Sequence, residues 1–189
     1  MTNIVSNQII KHQHYEHRTT KIDNKNSKFT HRKFQRIRKS GSHKKILASF
    51  VGIGTSLNDR KISVVENEKL EKVCLILMNS YRDRKHDLGV GPLNDGYLIG
   101  LKHYRLGYKI FYLYDPRREE FLKYLGFFLK NTSQALTIFY TGRDTIVTGI
   151  HGIEFKDGTL SKDSICDIIS ENCNDKVQVM LASDCCSGG

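Results

Sequence analysis

Tryptophan is absent from this chain of 189 residues, proline occurs only twice and cysteine five times. So few cysteines and prolines exclude a disulfide scaffold and a collagen-like chain. Every apolar run stops well short of the roughly 18 residues of a membrane span, so no integral membrane protein and no membrane partner is expected. The amino terminus has no following apolar stretch, so no secretory signal is expected. Cys74, Cys166, Cys173, Cys185 and Cys186 form no C-x-x-C pair and no structural zinc spacing. No metal or cofactor is expected, and an odd cysteine count without a signal points to a reducing, cytoplasmic setting.

Acidic residues are scarce at the start. Residues 1–65 carry 14 Lys and Arg against Glu16, Asp23 and Asp59, a balance of +11, whereas residues 66–189 carry 16 against 17 acids. The formal charge of +10 at pH 7 is therefore a property of the first third. Up to about Lys45 that third is rich in Asn, Ser, Thr, Lys and His, and too poor in aliphatics to offset the entropy of ordering. It reads as a basic, disordered tail over 1–45, followed by a linker or docking segment over 46–68. Arg32 to Lys45 would alternatively serve nuclear import or bind nucleic acid and other polyanions. A transit peptide is disfavoured by five histidines, and His12, His14 and His17 read as incidental in such a tail.

The remainder alternates strands with helices. Lys72–Met78, Tyr108–Tyr114, Ala135–Tyr140 and Val177–Ala182 read as strands. A helix opens at Asn94-Asp95-Gly96 and stops at Gly107. A second starts at Asp115-Pro116, an acid at the N-cap before proline, with Phe121, Leu122, Leu125, Phe128 and Leu129 as its buried stripe. Ser161 caps a third, and His151–Phe155 with Asp157-Gly158 suggests a small hairpin. Crossovers of this length imply an α/β three-layer sandwich with a mainly parallel sheet. The apolar segment Ile46–Gly54 reads as an extra edge strand or a docking piece. Its Gly52-Ile53-Gly54 lacks the third glycine of a dinucleotide fingerprint.

In parallel sheets chemistry gathers at the carboxyl ends of strands. Two such ends are conspicuous, Thr141-Gly142-Arg143-Asp144, read as a loop, and Ser183-Asp184-Cys185-Cys186-Ser187-Gly188-Gly189, which follows the last strand. The polar neighbours of the adjacent cysteines suggest an exposed thiol. A cysteine nucleophile needs a base, and Arg143 cannot deprotonate at useful pH. His151 is the nearest histidine, alternatively a surface residue of the hairpin.

The order of elements, with Leu93-Asn94-Asp95, Phe139-Tyr140-Thr141-Gly142 and Asp184-Cys185-Cys186-Ser187-Gly188, resembles the large-subunit part of the caspase and metacaspase cysteine peptidases. The resemblance spans about residues 69–189, read as a caspase-like domain truncated after the nucleophile motif. The family pattern is an apolar strand, tyrosine, a small hydroxyl residue and Gly-His-Gly, then Asp-x-Cys followed by Ser-Gly. The resemblance implies Cys186 as nucleophile with Asp184 two residues before it, or Cys185 in a register shifted by one. It implies an Arg- or Lys-binding pocket lined by Asp184 and Asp95, and an oxyanion hole from the backbone N–H groups of Cys186 and Asp144. Peptide or protein substrates, a caspase-like relative as partner, and calcium as in many metacaspases are implied only through it.

Arg143 stands at the histidine position and Asp144 replaces the neighbouring glycine, which leaves His151 as the alternative base. Loss of the base removes several orders of magnitude in rate, and a carboxylate beside an oxyanion opposes its stabilisation. The family has further strands after the nucleophile, and this chain ends at Gly189. The expectation is a degenerate or incomplete cysteine endopeptidase domain. The alternatives are a non-catalytic module that pairs with active relatives, and polyanion binding through the tail, with a nuclear location.

Overall fold

The computed structural model describes residues 43–82, 87–147 and 149–187, all of them in one unit. The expected tail before His43, including His12, His14 and His17, lies outside the described residues, as do Gly188 and Gly189.

Strand β2, Lys72–Met78, shows why the fold is layered. Val73, Leu75 and Leu77 enter one core while Cys74, Ile76 and Met78 enter another. A strand buried on both faces has no polar side to show, so its sequence is a continuous apolar run. The first core is closed by helix α3, Arg118–Asn131, through Phe121, Tyr124, Leu125, Phe128 and Leu129, and by Ile165 of helix α4, Lys162–Asn172. The second is closed by Ile46 and Phe50 of helix α1, His43–Val51, and Leu93 of helix α2, Gly91–Arg105. The result is an α/β three-layer sandwich.

Edge strand β1, Gly54–Ser56, pairs parallel with β3, Lys109–Tyr114, which pairs with β2, and β2 with β4, Ala135–Val147. Strand β7, Gln178–Ser187, runs parallel along the other side of β4. Strands β5, Ile150–Phe155, and β6, Gly158–Ser161, form the expected hairpin, antiparallel to the second half of β4. The sheet is thus mainly parallel. Ile46–Gly54 both docks as α1 and leads into the edge strand.

Ser161 caps α4 as expected, its Oγ accepting the Ser164 N–H at 3.0 Å. Other boundaries differ from the sequence reading. Helix α2 begins at Gly91 rather than Asn94, because Pro92 fits a first turn that has no use for its missing N–H. Asp115 does not cap α3, whose N-cap is Arg117. Asp115 instead takes φ +46 and turns its carboxylate to the N–H groups of Ser80 and Tyr81. Thr141–Asp144 is not a loop either, and the last strand runs on from Ala182 through Ser187. The two segments continue β4 and β7, since each finds a ladder partner in the other.

Candidate functional site

The parallel register of β4 and β7 sets the two motifs side by side: Thr141 opposite Asp184, Gly142 opposite Cys185, Arg143 opposite Cys186 and Asp144 opposite Ser187. Register partners in a parallel pair share a face, and alternation divides these positions between the two faces. Thr141 and Arg143 follow Phe139 onto the α1–α2 face, and Asp184 follows Ala182. Asp95, in α2, is half-buried on that side. Cys185 joins the core beneath α3 and α4, as do Tyr140 and Ile153.

Asp144 and His151 meet on this second face, with His151 Nδ1 2.5 Å from Asp144 Oδ2 across the β4–β5 ladder. Lys162 Nζ lies 3.8 Å from the same oxygen, and Asp144 Oδ1 is buried without a hydrogen-bond partner. The imidazole itself is largely exposed. Arg143, at the expected histidine position, and His151, the alternative base, therefore lie on opposite sides of the sheet. A thiol drawing on His151 belongs to the Cys185 face.

Cys185, expected to be exposed, is half-buried. Burial pushes its thiol up to about 11, reinforced by the charge of Asp144 and only partly offset by a hydrogen bond with Ser183. At neutral pH this is a protonated thiol, the reverse of an activated nucleophile. The side chain of Cys186 is not among those described. Asp184 is exposed. Asp144, whose N–H was assigned to an oxyanion hole, has a strand on either side, paired with Ile153 of β5 and Ser187 of β7.

A hydroxyl network that sequence reasoning missed sits behind the site. Tyr81 and Tyr140 are buried, with their hydroxyls 3.0 Å apart. Tyr140 donates to Arg143 O at 2.6 Å and Tyr81 to Glu154 O at 2.9 Å, while the Arg143 N–H donates to Tyr81 Oη at 3.2 Å. Burial raises the pKa of both phenols, so both stay neutral. Nothing local in the sequence marks Tyr81. Tyr140 stands in a motif, but nothing beside it in the sequence marks this bond.

A cavity of about 320 Å³ opens beside Val51, Gly54, Tyr104, Tyr108 and Lys109, at the amino ends of β1 and β3. That is the opposite end of the strands from the paired motifs. Among the described residues no group of three or more His, Cys, Asp or Glu could hold a metal. Among the same residues no helix is long and apolar enough to cross a membrane.

No family model and no curated protein matches the sequence. Among solved structures the chain is similar to the Drosophila initiator caspase Dronc, with a TM-score of 0.45 and 20% identity over 60% of this chain. It spans about half of that chain, 49% of its length.

Proposed function

We propose that this chain is a caspase-like cysteine peptidase domain, in its large-subunit part, that has lost acid–base catalysis. The observation that carries this reading is the register: Tyr140-Thr141-Gly142-Arg143 lies alongside Ser183-Asp184-Cys185-Cys186 at the carboxyl ends of adjacent parallel strands. Those are the places from which a thiol and its partner would act. Arg143 cannot accept a proton, and the protonated state of Cys185 also argues against turnover.

The test is cleavage of peptides with Arg or Lys at the scissile position, with electrophilic affinity probes bearing the same residue. The wild-type chain is expected to cleave no such peptide and to take up no probe, and Arg143→His to gain probe labelling at Cys186, its register partner. Turnover by the wild type that vanishes in Cys186→Ala or Cys185→Ala would overturn the loss of catalysis. If Arg143→His leaves both cysteines unlabelled, the peptidase ancestry falls.

One observation favours a role in pairing with another chain. β7 pairs with β4 on one side, and no described strand lies on the other. Met180, in this strand, is 47% exposed. An open apolar edge is a template for a further strand, and a caspase-like relative is the partner this reading supplies. A complex that persists after Met180→Lys and Ala182→Pro would exclude the edge as the contact.

A further inference from the structure

We propose that Tyr81 is a positioning residue: clamped by Asp115, it works with Tyr140 to fix the main chain of residue 143 independently of the side chain carried there. The proposal rests on reading residue 143 as the base position of a caspase-like site.

Tyr81 has φ +56 and Asp115 φ +46. A bulky residue in the left-handed region is strained and persists only where its surroundings over-determine it. Glycine would adopt that backbone freely, so the presence of tyrosine means that the ring is needed. Asp115, a residue type that tolerates this region better, supplies the lock. Its Oδ1 accepts the N–H groups of Ser80 at 2.7 Å and Tyr81 at 3.0 Å, and its own N–H bonds to Met78 O at 2.8 Å. The exits of β2 and β3 are thereby pinned to each other.

The output of the lock is at β4. The pairing of β4 with β2 ends at Thr141 and its pairing with β5 begins at Asp144, which leaves a seam at Gly142 and Arg143. β7 pairs with β4 here on one side, but on the side of the seam neither β2 nor β5 reaches Arg143, and a partly buried backbone N–H and C=O still need partners. The two hydroxyls close the gap, Tyr81 accepting from Arg143 N and Tyr140 donating to Arg143 O. Tyr81 also ties the seam to β5 through Glu154 O, which Asn79 Nδ2 holds at 2.7 Å from the end of β2. Gly142 belongs to the same device. A Cβ there would stand 2.5 Å from the Tyr140 hydroxyl oxygen, so glycine lets the ring fold back over the chain. The chain thus keeps the apparatus that presents residue 143 while the group presented is an arginine.

The experiment is amide hydrogen exchange by NMR on the full chain and on Tyr81→Phe, which removes one oxygen and keeps the ring. The Arg143 amide is expected to exchange at least about tenfold faster while Leu75 and Ile138 stay unchanged. Unchanged exchange at Arg143 overturns the proposal, and so does an equal acceleration at all three. Should Tyr81→Phe fail to fold, Tyr140→Phe reads the other half. The carbonyl carbon shift of Arg143 must then move with its lost donor, and an unmoved shift overturns the clamp. In an Arg143→His background, Tyr81→Phe should lower kcat with KM unchanged. If Arg143→His is inert the peptidase reading fails, while the exchange result still decides the clamp.

Discussion

His151 Nδ1 lies 2.5 Å from Asp144 Oδ2, yet the other carboxylate oxygen of Asp144 is buried with no hydrogen-bond partner. The carboxylate has lost hydration that its partners replace only on one side. Removing His151 leaves that charge with Lys162 alone, 3.8 Å away, whereas removing Asp144 removes the desolvated group itself. His151→Ala is therefore expected to destabilise by about 1 kcal/mol, a value kept small because the imidazole is mostly solvated. Asp144→Ala should cost less, and the double variant no more than His151→Ala. Urea denaturation of the four proteins checks this, and strict additivity would show that the pair is not coupled.

The thiol of Cys185 is the second measurable consequence of the register. Burial pushes it up to about 11 from the 9.0 of an ordinary thiol, which means roughly 100-fold less thiolate at pH 7.5 than in an unperturbed cysteine. In a variant with Cys166, Cys173 and Cys186 replaced by serine, alkylation of Cys185 by iodoacetamide should be slower by that order than in a cysteine peptide. The rate should climb about tenfold per pH unit until near pH 11. A rate levelling off below pH 9 would mean that Asp144 and burial do not hold the proton on sulfur.

Much of the architecture was legible because burial on both faces writes itself into composition. Lys72–Met78 could only be an interior strand, and Ser161 before a helical stripe could only be a cap. The errors at Asp115 and at Thr141–Asp144 share one cause, a partner distant in sequence. Asp115 before Pro116 looks the same whether the carboxylate caps its own helix or reaches Ser80 and Tyr81, and only the packing of β2 against β3 decides. Thr141–Asp144 is polar enough for a loop, but strands on either side satisfy its backbone. The motif residues of the site could be named in advance. Their division between faces could not, because it depends on how far β4 and β7 continue past their apolar segments.

Gly142 is expected to tolerate no side chain. The Cβ of Gly142→Ala would lie 2.5 Å from the Tyr140 hydroxyl oxygen, 2.9 Å from its Cζ and 3.1 Å from Asn79 Cβ. Tyr140 is fully enclosed and cannot swing away, so relief requires backbone movement. A loss of about 1–3 kcal/mol follows from overpacking of this kind. Gly126→Ala, within α3 and with open space around the new methyl, serves as control and should stabilise by up to about 1 kcal/mol. Equal responses at the two sites in thermal denaturation would contradict the packing described.

Alkali should loosen this fold from about pH 9 upward, and Cys74 is the main reason. It is buried in the core between β2, α1 and α2, and burial pushes its thiol from 9.0 up to about 12. Between those values the unfolded chain releases a proton that the folded chain retains. Stability then falls with rising pH by up to about 1.4 kcal/mol per unit. Below pH 9 both states carry the proton and the group contributes no slope. Cys185 acts in the same direction up to about 11, and the raised phenols of Tyr81 and Tyr140 do so above the ordinary tyrosine range. Cys74→Ala should cost about 1 kcal/mol at pH 7 through the missing sulfur yet lose less than the wild type between pH 9 and 11. Urea midpoints at pH 7, 9 and 10.5 compare the two proteins, and parallel declines would show that the Cys74 thiol ionises in place.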